Sequence, residues 1–237
     1  MTDTRSTRRH HALIPAAGVG ARMAAASPKQ YLPINGRPML AHTVDAFLAS
    51  ALVAHTFVVV SADDGYIGDL AAHWPSARVT VLRCGGATRM ESVLNGLRSA
   101  RAQIADDDLV LVHDAARPGL TPQLIARLIG EAGDDPAGGL LALPVVDTVK
   151  STRAATLATV PRDGLWLAQT PQMFRCALLE QALGAAPHPE AITDDASAVE
   201  AIGYSPRLVE GHPRNLKVTL PADIAIAALY LAHAPYL

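Results

Sequence analysis

The sequence has little cysteine, few aromatic side chains and no excess of charge of either sign. Its two cysteines, Cys84 and Cys176, stand in no CxxC or CxxxC spacing within 237 residues. That excludes a zinc ribbon, a cysteine-ligated cluster and a disulfide scaffold, and it fits a reducing cytoplasm. Aromatic residues make up 4% of the chain while half of it is hydrophobic, so the core is expected to be aliphatic, with closely approaching backbones, as in a helix-rich α/β protein. Twenty basic residues face 22 acidic ones for a net charge of −2, which disfavours a polymeric nucleic acid or a membrane surface as partner. No apolar run reaches the ~18 residues of a membrane span. The opening segment M-T-D-T-R-S-T-R-R-H-H carries arginines but no apolar h-region. It reads as a solvated tail over residues 1–11 rather than a secretory signal.

What is present is an alternation of short aliphatic runs with amphipathic stretches, the signature of a mainly parallel sheet covered by helices. Strands are expected at Ala12–Ala17, Thr56–Val60, Val79–Leu82, Leu109–His113 and Leu140–Pro144. Helices are expected near Pro38–Ser50, Asp64–His73, Glu91–Arg101 and Pro122–Glu131. The beat breaks after Pro144. Two β-prone segments around a polar stretch, with the turn signal Asp163-Gly164, predict an extended arm or hairpin at about 145–168. An arm of that size has too little core of its own, which points to packing on a second copy of the chain. Helices are then expected at Arg175–Ala186, Asp194–Ala201 and Pro221–Ala234, with short strands at Arg207–Val209 and Leu216–Val218.

The first candidate site follows the first strand, in A-L-I-P-A-A-G-V-G-A-R-M and Pro28-Lys29-Gln30. Gly18 and Gly20 at a strand end let backbone N–H groups approach a ligand, as in loops that cradle phosphates. A dinucleotide fingerprint fails here, because Met23 replaces the third small residue and no acid stands about 20 positions on; an NAD-dependent oxidoreductase is thereby disfavoured. The phosphate-binding G-K-[ST] pattern is absent too. H-D-A-A-R-P closes the fourth strand, where open α/β sheets bind ligands, and Asp114 there can present oxygen to Mg²⁺ beside phosphates. His113 reads as a packed residue, His10 and His11 as tail, and Asp106–Asp108, Asp134-Asp135, Asp194 and Asp195 as caps or solvated loops. Asp223 reads as a first-turn helix carboxylate.

G-x-G-x-R-M with Pro-Lys resembles the nucleotidyltransferases that activate sugars and polyols. Further blocks narrow the resemblance: P-K-Q-Y-L-P at 28–33, G-G-A-T-R-M-E-S-V-L-N-G-L at 85–97, V-H-D-A-A-R-P at 112–118, Q-T-P-Q-M-F-R at 169–175, T-D-D-A-S-A-V-E at 193–200 and V-E-G-H-P-R-N-L-K-V-T-L-P-A-D at 209–223. Together they resemble the 2-C-methyl-D-erythritol 4-phosphate cytidylyltransferase family, in register from about residue 12 to about 232. A sister family acting on ribitol 5-phosphate shares most of these blocks and stays open at this point.

The resemblance implies a single three-layer, Rossmann-like α/β nucleotidyltransferase domain over 12–237 with a protruding β-arm, working as a homodimer on CTP and a polyol phosphate with Mg²⁺ or another divalent cation. Arg22 and Lys29 would neutralise the triphosphate and stabilise the transition state. Arg162, Lys217, Thr148, Asp147 and Arg117 would hold the sugar phosphate, with Asp147, Thr148 and Arg162 reaching across the dimer interface. The nucleotide would lie against Pro15, Ala16, Ala17, Gly18 and Gly20 on one side and Gly85, Gly86 and Ser92 on the other, with Asp114 as ribose or metal ligand. The chemistry asks for such a set: bringing two polyanions together and crowding charge onto an α-phosphoryl group requires converging cations and no nucleophilic side chain.

Overall fold

A computed structural model describes residues 8–18, 27–153, 156–185 and 192–233. Gly20, Arg22 and Met23 lie outside these residues, as do residues 1–7 of the expected tail and Ala234 at the end of the last expected helix. Among the described residues the chain forms one seven-stranded sheet. Five strands run parallel to one another at their expected places or nearly so, the first four as neighbours: β1 (His10–Pro15), β4 (His55–Val59), β5 (Val79–Leu82), β6 (Leu109–Val112) and β7 (Gly139–Pro144). With β10 (Trp166–Arg175) and β11 (Arg207–Glu210), the order across the sheet is β11-β7-β10-β6-β1-β4-β5. Strand β1 pairs in parallel with β4 on one side and β6 on the other. The chain therefore moves outward from β1 through β4 to β5 and then crosses back to β6, which makes the carboxyl ends of β1 and β6 the switch point where such sheets open a crevice.

The period of two along β1 divides its side chains between two helical layers. Ala12 and Ile14 join the core that includes α1 (Met39–Leu48) and α4 (Pro122–Ala132), whereas Leu13 joins the core of α3 (Arg89–Ala100), α5 (Cys176–Gly184) and α6 (Asp195–Ala201). Both cores are aliphatic with single large rings, Phe47 in one, Phe57 and Phe174 in the other, and each such side chain buried contributes about 1.5–3 kcal/mol. Short α2 (Ile67–Ala71) and the C-terminal α7 (Pro221–Ala232) complete the layers. No helix among the described residues is long and apolar enough to cross a membrane.

Local signals account for several element ends. Thr88 and Glu91 make a reciprocal capping box, so α3 begins at Arg89 rather than at the expected Glu91. Asn35 and Gly36, both at positive φ, turn a two-residue hairpin between β2 (Pro33–Ile34) and β3 (Arg37–Pro38), an Asn-Gly signal absent from the expected elements. Beyond β7, β8 (Val149–Ser151) and β9 (Ala158–Val160) form an antiparallel pair inside the expected arm. The Asp163-Gly164 turn lies just after it, with Gly164 at φ +75° and the Leu165 N–H donating to the Arg162 carbonyl.

Four expectations fail. The arm does not extend to 168, because Trp166 already belongs to β10, which runs antiparallel between β6 and β7 in the middle of the sheet. Its Pro171 and buried Gln169, Thr170 and Gln172 argue against a central strand. They are tolerated because the register shifts between Ala168 and Gln172, where no ladder bond is required of the proline. Leu216–Val218 is no strand; it is caught between a 3-10 turn at Pro213–Asn215 and the helix start at Pro221, with the Val218 N–H donating to the Ala116 carbonyl. The tail ends early: His10 and His11 belong to β1, and His11 is buried. Asp108 is buried rather than solvated, accepting from the Arg9 and Ala105 N–H groups and meeting His11 Nε2 at 3.2 Å.

Candidate active site

Two cavities open side by side at the carboxyl ends of β1 and β6. The larger, about 420 Å³, is walled by Pro15–Gly18 after β1, by Gly86, Arg89 and Ser92 around the start of α3, and by Asp114, Lys29 and Lys217. The smaller, about 260 Å³, is lined by Arg117, by Gln169, Thr170 and Gln172 of β10, and by Thr193 and Asp194 before α6. Arg89, Asp114 and Lys217 belong to both. The two spaces therefore share one charged wall.

That wall is built around Asp114. Its carboxylate receives Arg89 Nε at 2.8 Å and Lys217 Nζ at 2.9 Å, with Arg117 Nε at 3.6 Å. Burial alone would raise the Asp114 pKa, but Arg89, Lys217 and Arg117 outweigh it and hold the group ionised far below the usual carboxylate range. Arg89 also turns Nη2 towards Asp195, 2.9 Å from Oδ2. Desolvation pulls the guanidinium down, yet Asp195 and Asp114 together push it up. Asp195 is 1% exposed and, among the described residues, neither of its oxygens has a hydrogen-bond donor; the contact with Arg89 is an ion pair out of hydrogen-bond line. Burial raises the pKa of Asp195 against that pairing. Across the two cavities Lys29, Arg89, Arg117 and Lys217 outnumber Asp114, Asp194 and Asp195 by one, on a chain whose total charge is −2.

Each wall has a local cause. Gln30 donates Nε2 to the Ala16 carbonyl at 2.6 Å, fixing the strand-end backbone, and the Ser92 hydroxyl accepts from Gly86 N–H at 3.1 Å. Arg117 is held by the carbonyls of Asn215, 2.7 Å, and Ala168, 3.3 Å. Asn215 in turn donates Nδ2 to the Thr170 carbonyl at 2.7 Å, which ties the loop carrying Lys217 to β10. Lys29 Nζ donates to the Val218 carbonyl at 3.4 Å.

A divalent cation finds no protein cage here: among the described residues no three His, Cys, Asp or Glu side chains converge. Asp114 is the one acidic side chain among the described residues lining the larger cavity, and its oxygens already meet Arg89, Lys217 and Arg117, so a divalent cation there would draw its ligands chiefly from phosphate and water oxygens.

Residues 10–233 match the family model for 2-C-methyl-D-erythritol 4-phosphate cytidylyltransferase. The chain belongs to this family. A 2-C-methyl-D-erythritol 4-phosphate cytidylyltransferase of Dechloromonas aromatica is 50% identical over 232 residues, covering 94% of this chain and 97% of the relative. One of Ralstonia nicotianae is 52% identical, covering 98% and 95%. Among solved structures, a 4-diphosphocytidyl-2C-methyl-D-erythritol synthase superposes with a TM-score of 0.84 at 43% identity, covering 94% of this chain and 99% of that one. The cytidylyltransferase of Francisella tularensis gives 0.80 at 32% identity, with the same coverage.

In this cytidylyltransferase chain, Pro15, Ala16, Ala17, Gly18, Lys29, Gly86, Ser92, Asp114 and Lys217 line the larger cavity, and Arg117 lines the smaller. Gly85 stands behind the wall, its N–H donating to the Val60 carbonyl. Asp147, Thr148 and Arg162 line neither cavity; Arg162 is exposed and donates to the Val146 carbonyl. Gly20 and Arg22 lie outside the described residues. The residue that sequence reasoning passed over is Arg89. Its signal was the T-x-x-E capping box, which sets residue 89 at the helix start facing the crevice. Asp195 was passed over as a cap, a role that belongs to Asp194, whose side chain accepts from Ser197 N–H. Asp223 does cap α7, accepting from the Thr219 and Leu220 N–H groups.

Proposed function

We infer that this chain transfers a cytidylyl group from CTP to 2-C-methyl-D-erythritol 4-phosphate, giving 4-diphosphocytidyl-2-C-methyl-D-erythritol and pyrophosphate in isoprenoid precursor biosynthesis. The observation that carries it is a full-length family match on a chain with two adjoining cavities that share one cationic wall. A phosphate oxygen of the polyol phosphate attacks the α-phosphorus of CTP; the new P–O bond forms as the bond to the pyrophosphate oxygen breaks. Lys29, with Arg22, neutralises the triphosphate as charge builds on the α-phosphoryl oxygens. Lys217 and Arg117 receive the second substrate's phosphate, and Arg89 stands at the junction. A Mg²⁺ carried by the triphosphate beside Asp114 would supply further neutralisation of the triphosphate. The backbone of Pro15, Ala16 and Ala17 and that of Gly86 with Ser92 line one cavity; a cytosine held there would be read by its donor and acceptors, which favours CTP over UTP because a mismatched base leaves a buried group unpaired. Pyrophosphate release with CTP but not UTP, ATP or GTP, and with methylerythritol phosphate rather than ribitol 5-phosphate, is the expected assay result.

Two further outcomes test the walls. A Cβ at Gly85 would run into Ala17 Cβ and stand 3.0 Å from the Val60 carbonyl oxygen. Gly85→Ala is expected to raise the KM for CTP about tenfold, with the KM for the polyol phosphate little changed. Asp147, Thr148 and Arg162 complete the polyol site from a second subunit, a reading supported by the exposed Val146, Leu157, Trp166 and Leu167 around the β8–β9 hairpin. Arg162→Ala is expected to raise the KM for the polyol phosphate about tenfold or more in steady-state kinetics. A monomer by light scattering at micromolar concentration would remove all three residues from the site.

A further inference from the structure

Lys29, Gln30 and Tyr31 form one 3-10 turn, with the Tyr31 N–H donating to the Pro28 carbonyl at 2.9 Å and the Leu32 N–H to the Lys29 carbonyl at 3.1 Å. Successive side chains of such a turn point about 120° apart. Lys29 and Gln30 line the larger cavity, whereas Tyr31 lines neither cavity. It reaches the loop between β4 and α2 instead. Its hydroxyl donates to Asp64 Oδ2 at 2.8 Å, and its ring stacks on that of Tyr66 with centroids 5.2 Å apart. Burial and the neighbouring carboxylate both raise the Tyr31 pKa, so the hydroxyl keeps the proton it donates.

Asp64 is itself a fixed point. Its Oδ1 accepts the N–H groups of Tyr66 at 2.9 Å and Ile67 at 3.0 Å, where α2 begins. Its own N–H donates to the Ser61 carbonyl at 3.2 Å, and Arg83 Nη1 donates to its carbonyl at 2.8 Å. The same loop is tied to the backbone walls of the larger cavity. The Ser61 hydroxyl donates to the Ala17 carbonyl at 3.2 Å, and the Val60 carbonyl accepts the Gly85 N–H at 2.9 Å. Asp64 is therefore held in register with walls that it does not line.

On the cavity side the turn is anchored by buried Gln30, which donates to the Ala16 carbonyl at 2.6 Å. A turn held by one side chain can pivot about it, and a flexible four-carbon lysine stem carries the pivot out to Nζ. The Tyr31–Asp64 bond supplies a second anchor in another direction. A tyrosine has only two torsions and a rigid ring between its backbone and its hydroxyl, which makes it a stiff strut.

We propose that Tyr31 and Asp64 are positioning residues, a strut outside the cavity that fixes where the Lys29 ammonium meets the triphosphate. The inference rests on the role of Lys29 given above and adds the two residues through which its turn is held. Since the lysine acts on charge that develops only as the new bond forms, a small displacement of it lowers the rate more than the affinity.

Tyr31→Phe keeps the ring and removes only the hydroxyl. It is expected to lower kcat about tenfold, with the KM values for CTP and the polyol phosphate within about threefold of wild type. In a Lys29→Ala background the same change should lower kcat by less than about twofold, because the group it positions is gone. A tenfold loss that persists without Lys29, or an unchanged kcat in Tyr31→Phe, would overturn the proposal. Asp64→Asn still offers an oxygen to α2 and an amide to the tyrosine oxygen, and is expected to keep about a third of wild-type kcat or more. Asp64→Ala should match Tyr31→Phe and add nothing to it in the double variant; additive losses would show that the two residues do not act as a unit. The strut also has a readout without substrate. Hydrogen exchange at the Leu32 amide, which closes the turn on Lys29, is expected to quicken about tenfold in Tyr31→Phe while exchange along β1 stays unchanged. Equal Leu32 exchange in the two proteins, or quickening along β1 as well, would overturn a local strut whatever the enzyme acts on. Quickened Leu32 exchange in a protein that shows no turnover of CTP with methylerythritol phosphate would instead sink the functional reading and leave the strut standing.

Discussion

Lys29→Ala is expected to lower kcat about 10²- to 10³-fold while the KM for CTP moves less than tenfold. Lys29 borders the cavity that Asp114, Arg89 and Lys217 also line, and its contact with the Val218 carbonyl, at 3.4 Å, is the kind of contact a phosphate oxygen displaces readily. In the ground state the triphosphate's charge is already shared with solvent and counterions. The additional negative charge on the α-phosphoryl oxygens arises only as the new bond forms, so a cation aimed there acts chiefly on the rate. Stopped-time assays of pyrophosphate release over a matrix of CTP and polyol phosphate concentrations separate the two parameters. A loss confined to KM would assign Lys29 to ordinary binding and leave the rate effect to other cations.

Stability is expected to fall steeply as pH drops from about 6.5 to 4. Desolvation holds His113 at about 4, against 6.5 for an unhindered imidazole. Its folded pKa is depressed, so the unfolded chain binds a proton that the folded chain refuses. The stabilisation is therefore complete above pH 6.5 and is lost on acidification through that window. At about 1.4 kcal/mol per unit, this single group is worth about 3 kcal/mol, a large part of a typical 5–15 kcal/mol domain stability. His11 acts in the same direction: burial lowers its pKa more than its contact with Asp108 raises it, and its Nδ1 has no partner among the described residues to receive a second proton. Urea midpoints measured at pH 7.5, 6 and 5 should decline together with no change in slope. A constant midpoint over that range would show that both rings are protonated in the folded protein or exposed to solvent.

The sheet's first half was legible because its signals are local. Aliphatic runs bounded by turns, the proline at the start of α4, and Asp163-Gly164 each act within a few residues. Strand β10 was not legible, since a proline and three buried polar residues contradict every local rule for a central strand. They are there because that stretch is at once strand and cavity wall. His11 and Asp108 look like polar tail and polar loop; only their meeting makes them buried partners. The same holds for Leu216–Val218, whose alternation of apolar Leu216 and Val218 around Lys217 suggests a strand although the turn before it and the helix after it leave no sheet edge to join.

The sequence by itself determined the chemistry: cations from separate blocks, a strand-end aspartate and glycine-lined turns, in an order that marks the family. Tertiary structure alone decided which of those charges meet. Arg89 is a capping-box neighbour in the sequence and becomes the bridge between Asp114 and Asp195 in the fold; His113 is a packed ring in the sequence and in the fold also meets the Arg117 carbonyl and the Thr170 hydroxyl. The physical reason is that turns and caps are paid for within one turn of chain, whereas ionisation, tautomer and hydrogen-bond direction depend on desolvation, and desolvation is imposed by strands and helices brought together from distant parts of the chain.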